Sequence, residues 1–401
     1  MGAFLSDILT FLFGVQLIIM KILHTSDWHL GRLFHQQSLL DQQLELLHQL
    51  VNVIDEYAVD AVIIAGDIYD RSVPPSAAVK AFSDFVEQVA VKRQRTIVAI
   101  SGNHDGAERL GFAHSLLKQA KLHLITDLPQ SVEPVVLSDA DTDVHLWCVP
   151  FHDPLQVNHW LESDCKNFNT AHQMIVDRIN AQRSNLSRNI IVSHCYLDGA
   201  SESESERPLS IGGADRVDWQ MFADFDYAAL GHLHQPQYKG REHIRYSGSL
   251  MKYSFSEVNQ SKSVTLIDIN NKGVQDIEQI TLKPSQDMRV IKGELADLIK
   301  QAQHDPHYND FIQAILTDKQ AILHPMAKLR AYYPNLMQLR KEQFEHDQRS
   351  PAAHAQEQLK KADSELIQDF FSEVHGEPLT EDQKSAISQV IQQIEQEESG
   401  S

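Results

Sequence analysis

Residues 22–29 read Ile22-Leu23-His24-Thr25-Ser26-Asp27-Trp28-His29: a short run of strand character, then a polar turn with a carboxylate and an imidazole two positions apart. On an extended segment alternate residues share a face, so Asp27 and His29 are expected to point the same way. The motif recurs in outline along the chain. Ala61–Ala65 is followed by Gly66-Asp67, and Thr96–Ile100 by Ser101-Gly102-Asn103-His104. Leu146–Val149, Asn189–Ser193, Tyr227–Leu230 and Val264–Ile267 are further strand-like runs. Between the first two runs, Leu39, Leu40, Leu44, Leu47, Val51 and Ile54 recur at helical spacing; between the next two, Phe82, Phe85, Val86 and Val89 do the same. Strand and helix alternating at this rhythm predict an α/β layered fold. Sites in open α/β sheets lie beyond the carboxyl ends of the strands, so the polar clusters are expected at one rim.

Taken in order, those strand ends carry Asp27-x-His29, Gly66-Asp67-x-x-Asp70, Gly102-Asn103-His104-Asp105, His194 and Gly231-His232-Leu233-His234. Any one of them has an ordinary reading as a turn or helix cap. The ordered set does not. Carboxylate, amide oxygen and imidazole together suit a pair of divalent transition ions. Such a pair activates water and clamps a phosphoryl group, which is what hydrolysis of an anionic phosphodiester requires.

The 401-residue chain has 42% hydrophobic and 22% charged residues, as in a soluble globular enzyme. Its net charge of -20 runs against the basic footprint usual in nucleic-acid binders, and no basic run stands out. A role on DNA therefore calls for bound cations and a partner to supply positive field. Cys148, Cys165 and Cys195 are too few and scattered for a disulfide framework and form no Cys-x-x-Cys pair.

The five elements resemble the signature of the calcineurin-like metallophosphoesterases. More narrowly, Ser26–Gly31, Gly231–His234 and Tyr246-Ser247-Gly248-Ser249 with Ser254-Phe255-Ser256-Glu257 resemble the D-subunit family of the bacterial SbcCD exonucleases, from about Met20 to Asn335. The resemblance implies a layered β-sandwich core flanked by helices, acting as a metal-dependent DNA exonuclease and endonuclease in repair, recombination and replication. It assigns Asp27, His29, Asp67 and His234 to one ion and Asp67, Asn103, His194 and His232 to a second, with Asp67 shared. His104 would face the scissile phosphate as the catalytic residue. The ions implied are two Mn2+. The partners implied are DNA, a second copy of the chain, and an ATPase subunit with a long coiled coil in a heterotetramer, in the cytoplasm and away from membranes. The rival reading is a small-molecule phosphoesterase on the same scaffold, since fold does not fix substrate.

Four segments are expected: 1–19 as an extension ahead of a start at Met20, 20–284 as the nuclease domain, 285–340 as a small α+β capping domain, and 341–401 as a helical tail. Ile8–Met20 is apolar, but no Lys or Arg precedes Lys21, so a signal-peptide n-region is missing. In the tail, Leu359, Leu366, Ile367, Phe370, Phe371 and Val374 mark one apolar stripe, and Ile387, Val390, Ile391 and Ile394 a second. Thr380 and Gln383 form a capping-box pattern ahead of the latter. Docking on the ATPase is the use these stripes suggest. Ser201–Arg207 reads as a solvated acidic loop, and Cys195 as a small packing residue.

Overall fold

The structure is a computed structural model that describes residues 19–342, save 141, 142, 185, 208 and 210–214, together with 380, 381 and 383–385. The chain divides into two compact units with the boundary between Asp287 and Met288.

The first unit holds two six-stranded sheets. One is built from β1 (Met20–Thr25), β2 (Ala61–Ala65), β3 (Thr96–Ile100) and β4 (Leu122–Ile125), all parallel, with β11 (Ser263–Asn270) and β12 (Gly273–Thr281) added antiparallel beside β1. The other has β6 (Asp143–Val149), β7 (Arg188–His194), β8 (Tyr227–Gly231) and β10 (Arg241–Tyr246) parallel at its centre, edged by antiparallel β5 (Val135–Ser138) and β9 (Gln237–Lys239). Central parallel strands covered on both faces read as unbroken apolar runs, and β2 and β8 are buried along their whole length.

Ile22, Ile63, Val98 and Ile100 from one sheet meet Leu146, Cys148, Ile190, Val192 and Ala229 from the other in a shared core. The outer face of the second sheet packs on the helix Phe168–Asn180 through Ala171, Ile175, Val176 and Ile179. Beside the first sheet, the helix Leu40–Glu56 buries Leu46, Leu47, Leu50, Val51 and Ile54, in keeping with the apolar spacing of its sequence. The helix Ser76–Val86 continues as a π-helical turn, Glu87–Lys92, and its Phe85 meets Trp28 edge to face. Among the described residues, no helix is long and apolar enough to cross a membrane.

The second unit alternates strand and helix: β13 (Met288–Gly293), a helix Leu295–Ala302, β14 (Phe311–Leu316), a helix Pro325–Arg330 and β15 (Leu336–Lys341). Its three strands are parallel, so this small unit follows a βαβαβ path in place of the α+β layout expected. Arg289 clamps it by pairing with Asp305 at 2.8 Å and Asp310 at 2.7 Å. Further on, Gln383 N donates to Thr380 Oγ1 at 3.4 Å and Thr380 N to Gln383 Oε1 at 2.9 Å, the capping box read in the sequence. Residues 1–18 and the two apolar stripes of the tail lie outside the described residues.

A buried polar side chain on β1 helps to tie the two sheets of the first unit together. His24 on β1 is wholly buried, with Nε2 donating to Leu230 O at 3.2 Å and Nδ1 accepting from Tyr227 Oη at 3.1 Å. Its neutral ring is fully satisfied, and a second proton on Nδ1 would meet a hydroxyl already committed as donor. Burial is the main cause holding its pKa down to about 3; the Leu230 bond opposes the shift and Arg245 adds to it. The unfolded chain therefore takes up this proton near pH 6.5 while the folded chain does not, and stability falls as pH drops from about 6.5 toward 3. In acid denaturation, wild type should lose up to about 1.4 kcal/mol more per pH unit than His24→Gln over that interval. Equal slopes would show that His24 does not carry the effect.

Candidate metal centre

The parallel strands of both sheets end at one rim, and the polar clusters gather there. His29 Nε2 lies 3.6 Å and His194 Nε2 3.5 Å from Asp67 Oδ2. His29 Nε2 is 3.1 Å from His234 Nε2, while Asn103 Oδ1 is 2.9 Å from His194 Nε2 and 3.3 Å from His232 Nδ1. Asp27, His29 and His234 offer ligand atoms within 4.8 Å of one another, as do Asp27, Asp67 and His194. All seven residues read as ligands in the sequence thus converge. Asp67 sits between the two sets, and Asp27 approaches both.

The local backbone differs from the sequence reading. Asp27 and His29 do not lie on an extended segment: both are left-handed, at φ 54° and 45°, as is Asp67 at 52°, and His232 stands at φ 106°. Left-handed residues other than glycine cost of order 1–3 kcal/mol each and persist where the surroundings over-determine them. Here backbone pairing continues past the ends of β1 and β2. Asp27 N donates to Gly66 O at 3.1 Å, His29 N to Asp67 O at 2.9 Å and Leu30 N to Ile68 O at 2.9 Å. Gln43 reaches up from its helix to donate to His29 O at 2.8 Å and Trp28 O at 3.0 Å while accepting from Gly31 N at 3.0 Å. Likewise, Asn103 and His104 sit in a bend and not on a strand extension.

Each carboxylate is held by one side. Asp27 accepts His232 N with both oxygens, at 3.0 and 3.1 Å, and Asp67 Oδ1 accepts His104 N at 2.9 Å, which leaves Asp67 Oδ2 turned toward the histidines. Asp105 gathers three backbone N–H groups, from Ile68, Tyr69 and Gly102, and so joins two of the strand-end loops. Burial and the charge of Asp67 push the Asp105 carboxyl up to about 7. The imidazoles are oriented in the same way. His194 Nδ1–H donates to Ala65 O at 2.9 Å. Ser205 Oγ donates to Glu257, so it accepts the Nδ1–H of His234, at 2.6 Å. In both rings Nε2 is left with its lone pair facing inward, the state a metal ligand needs.

The donor set fits divalent cations. Burial lowers the pKa of His29, His194, His232 and His234, keeping all four neutral. Burial first, and then the charge of Asp67, raises the Asp27 carboxyl well above its usual range. Two desolvated carboxylates, with His234 turning a bare Nε2 onto His29 Nε2, form an arrangement of like groups that a cation between them relieves.

Sequence reading missed the supports of His234. Ser201–Arg207 is not simply a solvated loop: Ser205 binds the ring, Glu206 Oε1 accepts His234 N at 2.6 Å, and Arg32 holds Ser205 O at 2.9 Å. Glu257 and Lys262 form a buried pair at 2.6 Å behind them. Burial acts to raise the Glu257 carboxyl, but His234 and Lys262 together outweigh it and hold it well below the carboxylate range. Asp70 O accepts His104 Nδ1–H at 2.8 Å, and Asp70 Oδ1 stands 3.8 Å from His29 Nδ1. Cys195 is buried packing, as read, its thiol pushed up to about 12 by burial.

The calcineurin-like phosphoesterase family matches residues 20–236, and residues 284–375 match a family described as type 5 capsule protein repressor C-terminal domain. The chain is 33% identical over 374 residues to the D subunit of the SbcCD nuclease of Staphylococcus epidermidis (strain ATCC 12228 / FDA PCI 1200), covering 93% of this chain and 98% of the relative. Crystal structures of TT1561 of Thermus thermophilus and of a dimetal phosphatase from Danio rerio each cover 66% of this chain at a TM-score of 0.38, with 11% and 12% identity, and span 100% and 99% of those chains.

The glycines before the polar residues have a steric cause. A Cβ on Gly102 would lie 2.1 Å from Asp67 Oδ1, and one on Gly231 would lie 1.9 Å from Ala65 O. Gly102→Ala must displace the central carboxylate; it should lower stability by about 1–3 kcal/mol and cut metal-dependent phosphodiester hydrolysis. Gly293→Ala, whose Cβ meets only Leu298 at 3.4 Å, should leave hydrolysis unchanged. Denaturation midpoints and hydrolysis rates of the two variants check this.

Proposed function

The chain belongs to the calcineurin-like phosphoesterase family, and on that premise we propose that it is the nuclease subunit of a DNA-processing complex, cutting phosphodiester bonds with two Mn2+ ions. The observation that carries the reading is the convergence of seven buried or half-buried ligand-type residues, Asp67 among them at the centre. Asp27, His29, Asp67 and His234 would hold one ion; Asp67, Asn103, His194 and His232 the other. When bound, the ions supply a nucleophile at neutral pH and neutralise charge on the phosphoryl oxygens.

The chain's own residues do the rest. Asp67 keeps one oxygen for the ions because His104 N occupies the other. His104 is half-buried, edge to face against His29 at 4.7 Å, with Nδ1–H fixed on Asp70 O, so only its Nε2 remains for substrate. In the imidazolium form that nitrogen donates to the phosphate or to the leaving 3′-oxygen, which gains a proton as its bond to phosphorus breaks. The acidity of the chain suits this division of labour: phosphate is met by bound cations, not by a basic surface. We further assign 341–401 as the segment that docks an ATPase subunit, and a homodimer as the working form, with double-strand exonuclease and single-strand endonuclease activities; the support is the likeness to the SbcCD relative along nearly its whole length.

With Mn2+, the purified protein, alone or with its ATPase partner, should degrade labelled duplex DNA. Hydrolysis of bis(p-nitrophenyl) phosphate with no cleavage of DNA in either condition would instead support a small-molecule phosphoesterase. Asp67→Asn should lose both activity and bound Mn2+ while keeping its fold; retention of two ions and near-normal cleavage would remove Asp67 from the shared position. His104→Gln should keep both ions and bind DNA, yet cleave at least about tenfold more slowly. Loss of the ions in that variant would make His104 a ligand, and an unchanged rate would leave it without a chemical role.

A further inference from the structure

Two cavities flank the metal centre, and they differ in chemistry. One, of about 510 Å³, borders His232 and is walled by Glu202, Glu204, Glu206 and Asp215 with Arg207 and Arg216. Four carboxylates against two guanidinium groups make it a poor seat for a nucleic-acid strand. The other, of about 490 Å³, lies beyond the carboxyl ends of β4 and β6 and is walled by Leu128, Pro150, Phe151, Gln156, His159 and Trp160. Phe151 joins it to the centre: its ring stands edge to face with His194 at 6.3 Å, and its N–H donates to Ser101 O at 2.8 Å, one residue before Gly102-Asn103.

Two of the polar residues of this second cavity, Asp127 and Gln156, also serve local structure. Asp127 and Gln130 cap the 3-10 turn Leu128–Val132. Gln156 accepts Asp153 N and donates its own N–H to Asp153 Oδ1, capping the helix Pro154–Leu161. Among the described residues no Lys or Arg lines it, so it is not built for phosphate. What it presents is aromatic: half-buried Phe151 and Trp160 beside exposed His159. A flat, uncharged heterocycle matches such walls, because aromatic faces stack on any base.

We propose that this cavity seats the nucleobase of a nucleotide adjacent to the scissile phosphate, against Phe151 and Trp160. The proposal rests on the nuclease reading above and adds to it a base-binding subsite set beside His194. Stacking tolerates every base, so the aromatic walls do not themselves select sequence. The subsite does require that a base be present and free of its partner, so the strand must be unpaired at that position to enter.

The test compares an intact DNA strand with strands bearing one abasic residue on either side of the scissile bond, in Mn2+. Wild type should cut one of the two abasic strands roughly 5- to 150-fold more slowly than the intact strand. Phe151→Leu and Trp160→Leu should cut intact and abasic strands at similar rates; Trp160 serves as the second variant because it is not in ring contact with His194. A readout independent of cleavage is tryptophan fluorescence: deoxyadenosine monophosphate should quench it, deoxyribose 5-phosphate should not, and Trp160→Leu should abolish the change. Equal cutting of all strands by wild type, or full discrimination in both variants, overturns the subsite. If wild type hydrolyses bis(p-nitrophenyl) phosphate but no DNA, the nuclease reading fails instead, and quenching by the nucleotide still decides whether a base is held.

Discussion

Beyond the last residues of β1 and β2 the two chains do not separate. Asp27, His29 and Leu30 go on donating to Gly66, Asp67 and Ile68, so that pairing begun inside the sheet is carried out over its rim. This extension holds Asp27, His29 and Asp67 in left-handed backbone, and so aims three ligand-type side chains into one space. Asp105 fastens the third loop to the second, and the bond from His232 N to Asp27 fastens the second sheet to the first. Remove the pairing and each of these later contacts loses its partner's position.

The layered α/β plan and the ligand-type residues that converge at the rim were legible because they depend on local signals: apolar runs, helical spacing, and polar residues placed just after strands. The helix Leu40–Glu56 and the strand Thr96–Ile100 follow directly from such patterns. What escaped were relations between distant segments. Nothing near Gln43 announces that it will pin Trp28, Gly31 and His29, and nothing in Ser201–Arg207 announces that Ser205 and Glu206 will orient His234. The edge strands β5, β9 and β12 were missed for another reason: partly exposed strands carry mixed sequences without a continuous apolar run. The extended backbone assumed at Asp27-x-His29 was wrong because strand geometry was carried past Thr25, where β1 ends.

Electrostatics at the rim are organised in two layers. The inner layer gathers bare imidazole nitrogens and carboxylate oxygens, a concentration of electron pairs that demands cations. The outer layer, Ala65 O, Ser205, Glu257 and Lys262, fixes which nitrogen of His194 and His234 carries the proton. Because burial holds the inner rings neutral, protons compete weakly for the positions that cations fill.

Left-handed backbone and metal coordination favour overlapping residue types. Asn, Asp and His are the residues other than glycine that most readily take φ above zero, and they are also oxygen and nitrogen donors. At Asp27, His29, Asp67 and His232 the two demands therefore coincide. A lineage that drifted away from catalysis would meet little resistance to asparagine at these positions and much to valine or isoleucine. Its descendants would then keep the shape of the enzyme, and their silence would be written only in the exchange of one polar side chain for another.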